Sequence, residues 1–314
     1  MANTHNLFQT FNSDLQVTPT KKERMITSRD NLRKKIRKYF SEEHPDYKPK
    51  FYIQGSYKMK TTIRTKDDTC DMDDGVWFDS NPDDVTCTTL QTWVKNAVDG
   101  TTDDIQHRKK CITVNYKADY NIDLPVYLFD ENEDDKPLLA VKNSDWREDD
   151  PKEMIESFNN KKDDKGQLLR IVRYLKAWCD YKKDTMPSGL AMTILAMNNW
   201  QSNDKDDVAL KFTLTEIEKT LNKKFECIVP ATPYDDIFAD YSDTKKKNFL
   251  DNLSDFIADA KKAVDDEKNY LKASQLWQKH LGERFPDGED KDEENVNTKS
   301  VATVAGTSKP YYAG

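Results

Sequence analysis

Near residue 150 the hydrophobic pattern of the chain changes its period, and this constrains the fold more than any other sequence feature. Upstream, apolar residues come in short runs: "FYIQ" at 51–54, "DMDDGVWF" at 71–78, "CITVNY" at 111–116 and "YNIDLPVYLF" at 120–129. Runs rich in β-branched and aromatic residues, bounded by polar turns, predict strands. Downstream, "GQLLRIVRYLKAWCDYKK" spaces Leu168, Ile171, Val172, Leu175 and Trp178 for one face of a helix. "MPSGLAMTILAMNNW" predicts a nearly apolar helix with Ser188 as a plausible N-cap. "DDVALKFTLTEIEKTLNKK", "KKKNFLDNLSDFIADAKKAVDDEKNYL" and "ASQLWQKHLGERF" also read as helices. The expected class is α+β: a mixed-sheet half with an N-terminal helix, 1–155, packed against an all-helical half, 156–285.

The two ends carry weaker signals. Residues 1–20 are polar and irregular. In the segment 21–40, Met25, Leu32, Ile36 and Phe40 share a helical face beside nine basic and two acidic residues. That charge is either a solvated side or a face bordering a polyanion. From Pro286 onward apolar residues are too few to offset ordering entropy, which predicts a flexible tail over 286–314.

A net charge of -8 argues against wholesale coating of nucleic acid but leaves room for a local basic cleft. The five cysteines include no C-x-x-C pair and the four histidines are scattered. A disulfide framework and a zinc site are therefore not expected, and a reducing, cytoplasmic setting is. No secretory apolar segment occupies the first twenty residues. The longest strongly apolar run, Leu190 to Met197, falls short of the roughly 18 residues of a membrane span.

The chemistry lies in the strands. In a strand, residues i and i+2 point to the same side, so Asp71 and Asp73 present two carboxylates together while Met72 and Asp74 face away. A third, Asp123, sits in the strand-like "NIDLPVY", with Asp119 as a competitor of the same parity. Three converging carboxylates repel unless a cation offsets them. Hard carboxylate oxygen ligands favour Mg2+, and a pair of such ions suits phosphoryl or nucleotidyl transfer. Gly55-Ser56, just after the first strand, allows close approach of backbone to a triphosphate.

A strand ending in Gly-Ser, then D-x-D on the next strand, then a later Asp, resembles the polymerase-β-type nucleotidyltransferase superfamily. "IQGSYKMKT", "DMDDGVWF", "NIDLPVY", "IVRYLKAW" and "MPSGLAMTIL", in this order, look like the bacterial cGAS/DncV-like nucleotidyltransferases (CD-NTases). The resemblance, with its helical half and loose tail, covers nearly the whole chain.

The resemblance implies a nucleotidyltransferase core at 1–155 and a helical domain at 156–285 closing the cleft. It implies an enzyme making a cyclic di- or trinucleotide second messenger from NTPs, in antiphage (CBASS-type) signalling. Gln54, Gly55 and Ser56 would contact the triphosphate. Asp71 and Asp73 would bind two Mg2+ ions, with Mn2+ able to substitute. Asp123 would complete the metal site and help to deprotonate the attacking hydroxyl. Lys176 would reach the phosphates and Ser188 would add a hydrogen bond, against the plainer readings of a surface lysine and an ordinary N-cap. Arg170, Arg173 and Lys176 would form a polyphosphate-facing edge, although Arg170 reads equally as a solvated residue. Tyr52 or Tyr57 could stack a base; Trp178 and Trp200 read as core.

No DNA activator is implied, because the zinc module of the animal enzyme has no counterpart here. In part of the family an E1/E2-like partner conjugates the C-terminal residue, here Gly314. A downstream effector would respond to the product, and no membrane is involved. A linear oligonucleotide synthetase and a silent nucleotide-binding module are the alternatives.

Overall fold

The computed structural model describes residues 1–117, 119–129, 136–183 and 186–293. Gly314 and the rest of the tail beyond 293 lie outside the described residues.

Strand β2 (Asp71–Phe78) organises the sheet. On one flank it pairs antiparallel with β1 (Lys50–Gln54), which sets Gln54 opposite Asp73. On the other it runs parallel first to β5 (Tyr120–Leu124) and then to β6 (Val126–Leu128). The sequence reads 120–129 as one strand, but Pro125 divides it. Proline has no N–H for the ladder, while its carbonyl still accepts from Val76 N–H at 2.8 Å. β4 (Ile112–Tyr116) lies antiparallel to β5, and β3 (Ile105–His107) lies beyond it. Two short strands, β7 (Leu138–Leu139) and β8 (Arg147–Glu148), extend the sheet from β6.

Helices α2 (Pro19–Glu43) and α4 (Cys87–Val98) share one core with this sheet. Met25, Leu32, Ile36 and Phe40, the predicted apolar stripe, are fully buried against residues that include Met72, Val76 and Ile122. The cations of α2 largely serve the fold. Buried Lys21 pairs with Asp68 and Asp119, Arg24 pairs with Asp119, and Arg33 pairs with Asp74. Arg33 and Arg37 also lie over the Phe51 ring. α4 and β3 fall in 79–110, where no element is predicted.

The second half is helical, as the change of period requires: α5 (Pro151–Lys161), α6 (Gln167–Lys182), α7 (Gly189–Asn199), α8 (Asp206–Lys223), α9 (Asp243–Lys261) and α10 (Tyr270–Leu281). Trp178 is buried among Phe249 and Phe256, and Trp200 packs against the same cluster.

Both ends depart from expectation. Residues 5–15 form a helix, α1 (His5–Leu15), rather than an irregular stretch. Its Phe8, Phe11 and Leu15 are fully buried in the helical half, with Phe8 in edge contact with Tyr174, Trp277 and Phe285. The intervening polar residues mask this i, i+3, i+7 stripe. At the other end, 286–293 is held by backbone bonds, Tyr270 N–H to Lys291 O and Leu271 N–H to Glu289 O among them. Those bonds satisfy backbone groups that composition alone cannot assign.

Candidate active site

The parallel register of β2 and β5 places Asp73 beside Asp123 and Asp71 beside Asn121. Asp71, Asp73 and Asp123 all line one cleft of about 620 Å³ between the sheet and the helical half. Asn121 Nδ2 donates to Asp71 at 3.0 Å, and the Thr113 hydroxyl on β4 donates to Asp123. Asp74, on the opposite parity, is fully buried and held bidentately by Arg33. Asp119 is tied to Lys21 and Arg24 and does not line the cleft.

The Gly-Ser turn stands directly on this carboxylate wall. β1 ends at Gln54, and Gly55 opens the short helix α3 (Gly55–Lys58) with φ +62°. A Cβ on Gly55 would lie 2.1 Å from Asp73 Oδ2, so a side chain is excluded by space as well as by backbone conformation. Ser56 lines the cleft, its hydroxyl 2.9 Å from that of Thr62. Gln54 Nε2 donates to Tyr127 OH at 3.1 Å, and Tyr127 donates to Asp149 at 2.7 Å. Asp149 also lines the cleft. Neither Tyr127 nor Asp149 was legible as a site residue: Tyr127 reads as strand core, and Asp149 lies between β8 and α5, twenty-two residues further along the chain.

Lys176 enters from α6 on the facing wall. Its ammonium donates to Thr61 O at 3.2 Å and to Thr61 Oγ1 at 3.1 Å. Burial pulls its pKa down to about 8, while Asp73 and Asp71 oppose the fall. The predicted basic edge does not continue along the helix. Arg170 is paired with buried Asp206, and Arg173 donates to Asn12 Oδ1 and Lys60 O, so both brace the fold. Ser188 caps α7 by accepting from Ala191 N–H at 3.2 Å; Gly189 and Leu190 line the cleft, and Ser188 does not.

Among the described residues no aromatic ring lines the cleft. Tyr52 packs on Trp77, and Tyr57 packs against the sheet core. The apolar lining comes instead from Met59, Ile63, Met154, Ile155, Leu190 and Val229.

The carboxylate wall is electrostatically unsatisfied. Burial, then Asp123 and Asp71, push the Asp73 pKa up to about 7; burial and then Asp123 also raise that of Asp71. Among the described residues no three His, Cys, Asp or Glu side chains are already gathered into a closed metal cage. The donor set nevertheless fits a hard divalent cation: it is all oxygen, on adjacent strands, and its mutual repulsion is what such a cation relieves. All five cysteines are free thiols.

Residues 49–127 match the family model described as cyclic GMP-AMP synthase DncV-like, nucleotidyltransferase domain. A cyclic GMP-AMP synthase of Escherichia albertii is 24% identical over 212 residues, an alignment covering 60% of this chain and 46% of that protein. The chain thus spans about half the length of the curated relative it matches. The DncV cyclic AMP-GMP synthase of Vibrio cholerae superposes with a TM-score of 0.79 at 16% identity, covering 91% of this chain and 98% of that one. The 3′-deoxy GTP-bound DncV of Escherichia coli gives 0.74 at 18% identity, covering 87% and 93%. These likenesses establish the expected fold, a nucleotidyltransferase sheet core joined to a helical half.

Proposed function

We propose that this bearer of a DncV-like nucleotidyltransferase domain is a template-independent nucleotidyltransferase that joins NTPs into a cyclic oligonucleotide. The observation that carries the proposal is one cleft. It sets Asp71, Asp73 and Asp123 on neighbouring strands, with the Gly55-Ser56 turn against Asp73 and half-buried Lys176 on the facing wall.

The donor triphosphate would lie along Gly55 and Ser56, where backbone N–H groups and a hydroxyl serve phosphate oxygens and half-buried Lys176 supplies a positive charge. Asp71, Asp73 and Asp123 would hold two Mg2+ ions, with Mn2+ as substitute, which neutralise the phosphates and the leaving pyrophosphate. Asp123, held by Thr113, would accept the proton of the attacking hydroxyl. A new O–P bond forms at the α-phosphorus as the bond to the β-phosphate bridge breaks, and pyrophosphate leaves with the electron pair. Positioning and charge complementarity supply most of the rate in such a transfer.

The product would act as a second messenger for a nucleotide-activated effector in cytoplasmic antiphage signalling. An E1/E2-like partner would act on Gly314, which lies outside the described residues. Deletion of 303–314 beside a cognate partner should abolish conjugation; unchanged conjugation removes that part of the proposal.

The test is incubation with Mg2+ or Mn2+ and all four NTPs, phosphatase treatment and mass spectrometry, beside an Asp71→Asn/Asp73→Asn variant. A phosphatase-resistant cyclic product absent from the variant is expected. Linear products would replace cyclisation with chain synthesis, and absence of product despite nucleotide binding would leave a silent binding module.

A further inference from the structure

Strand β2 reaches past its neighbour. β1 ends at Gln54 opposite Asp73, so among the described residues Asp71 and Met72 have a strand partner only on the β5 side. The chain enters Asp71 through 61–70, the irregular segment that joins α3 to β2. Thr62, Ile63, Thr65 and Cys70 of this segment line the cleft. Whatever holds the segment bears on where Asp71 stands.

Its first residue is tied to the Gly-Ser turn: Thr61 N–H donates to Ser56 O at 2.9 Å, and Lys176 donates to Thr61. Further on it closes into a turn, with Thr65 N–H to Thr69 O at 2.8 Å and Thr69 N–H to Thr65 Oγ1 at 3.1 Å. Arg284, which follows α10 and lies 219 residues from Thr65, grips that turn. Its Nη1 donates to Arg64 O at 2.7 Å and to Thr65 O at 3.0 Å. Its Nε donates to Asp14 Oδ2 at 2.8 Å and its Nη2 to Asp14 O at 3.0 Å, in the last turn of α1. Arg64 closes the same junction, donating to Gln16 O at 2.9 Å and to Asp14 O at 2.6 Å.

Other ties reach the segment. Lys66 N–H donates to Asp180 at 2.5 Å, and exposed Asp67 and Asp68 pair with Lys183 and Lys21. Arg284 differs in what it holds. Three of its four bonds go to backbone carbonyls, on two segments far apart in sequence. A planar guanidinium fork fixes the direction of each bond, so it fixes the path of the main chain. From the gripped turn only Cys70 separates Thr69 from Asp71. Cys70 O accepts from Asn121 N–H at 3.0 Å, and the Asn121 side chain donates to Asp71.

We infer that Arg284 is a positioning residue for the carboxylate wall: by holding the main chain at Arg64 and Thr65 it sets where Asp71 joins Asp73 and Asp123. The inference rests on the proposed reading for the metal and the reaction, and its metal content is measurable without turnover.

The experiment titrates the full chain with Mn2+ alone, the free ion followed by electron paramagnetic resonance, for the parent, Arg284→Ala and Arg284→Lys. Urea unfolding of the same preparations gives the folded fraction. Per folded molecule, Arg284→Ala should bind Mn2+ about tenfold more weakly, as loss of a group supporting a metal ligand does. Arg284→Lys keeps the charge without the fork and should lose less; if Arg284→Ala does not fold, the lysine variant carries the test. With all four NTPs, kcat should fall while KM stays near the parent value, because the Gly55-Ser56 turn keeps its own ties to Thr61 and Lys176. A parent that binds no Mn2+, an unaltered Mn2+ affinity in a folded variant, or a rise in KM with kcat unchanged overturns the inference. The expected Mn2+ result from a parent that makes no product refutes the transferase reading and leaves Arg284 as the support of a metal site.

Discussion

Two sets of aspartates in this molecule sit against packed elements, one fully buried and one at the surface of the cleft, with opposite results. Asp206, at the start of α8, is fully buried and accepts from Arg170 at 2.6 and 2.9 Å, Gln167 at 2.9 Å, Tyr174 at 2.9 Å and Gln9 at 3.0 Å. Burial alone would raise its pKa, but Arg170 and the other donors hold it below the ordinary value. Among the described residues no side chain donates to Asp73, and burial, then the like charges of Asp123 and Asp71, push its pKa up to about 7. A carboxylate satisfied from within the protein serves the fold. One left unsatisfied beside other carboxylates, opposite a half-buried lysine, is prepared for something the chain does not itself supply.

The sharpest way to break this comparison is Asp73→Asn. Transfer should fall by about a thousandfold or more, since charge complementarity at the reacting phosphate is lost. The unfolding midpoint in urea should hold or rise. A clear loss of stability would place Asp73 among the structural carboxylates.

Asp206→Ala should do the reverse. It leaves half-buried Arg170 and the buried donors Gln167 and Tyr174 without their shared acceptor, which costs about 3–5 kcal/mol. Urea unfolding reads this, and nucleotide affinity per folded molecule should stay near the parent value.

Gly55→Ala lies between the two. Its Cβ must displace Asp73 Oδ2, and a misplacement of about 1 Å costs on the order of 100-fold in rate. The positive φ adds about 1–2 kcal/mol of backbone strain. Full activity in this variant would mean that Asp73 moves freely and the turn does not set its position.

The smallest effects are pH dependences of opposite sign. Asp73 has a raised pKa, so its stabilising contribution is present below the ordinary carboxylate pKa of about 4 and lost as pH rises to about 7. The stability advantage of Asp73→Asn should therefore open between these values and level off above. The Asp206 pKa is depressed, so its contribution is present above about pH 4 and lost as pH falls through the folded value. The deficit of Asp206→Asn should shrink on acidification. Parallel pH profiles for the two variants would undo the distinction.

Strand parity alone put Asp71 and Asp73 on one side and Asp74 on the other, because a two-residue repeat is a local property of extended chain. The same locality made the helical half legible from Leu168, Ile171, Val172 and Leu175, and the D-x-D with its Gly-Ser turn recognisable in order. Parity could not choose between Asp119 and Asp123, which share a strand face. The tertiary fold chose, by bringing Lys21 and Arg24 of α2 to Asp119 and Thr113 of β4 to Asp123. Helical spacing could not separate Arg170 from Lys176 either. Asp206 is thirty-six residues from Arg170, and Thr61 is one hundred and fifteen from Lys176. Periodicity and local turn chemistry are written in neighbouring residues. Which charges find a partner and which remain open to a ligand depends on residues far apart in the chain, and only the packed structure brings those together.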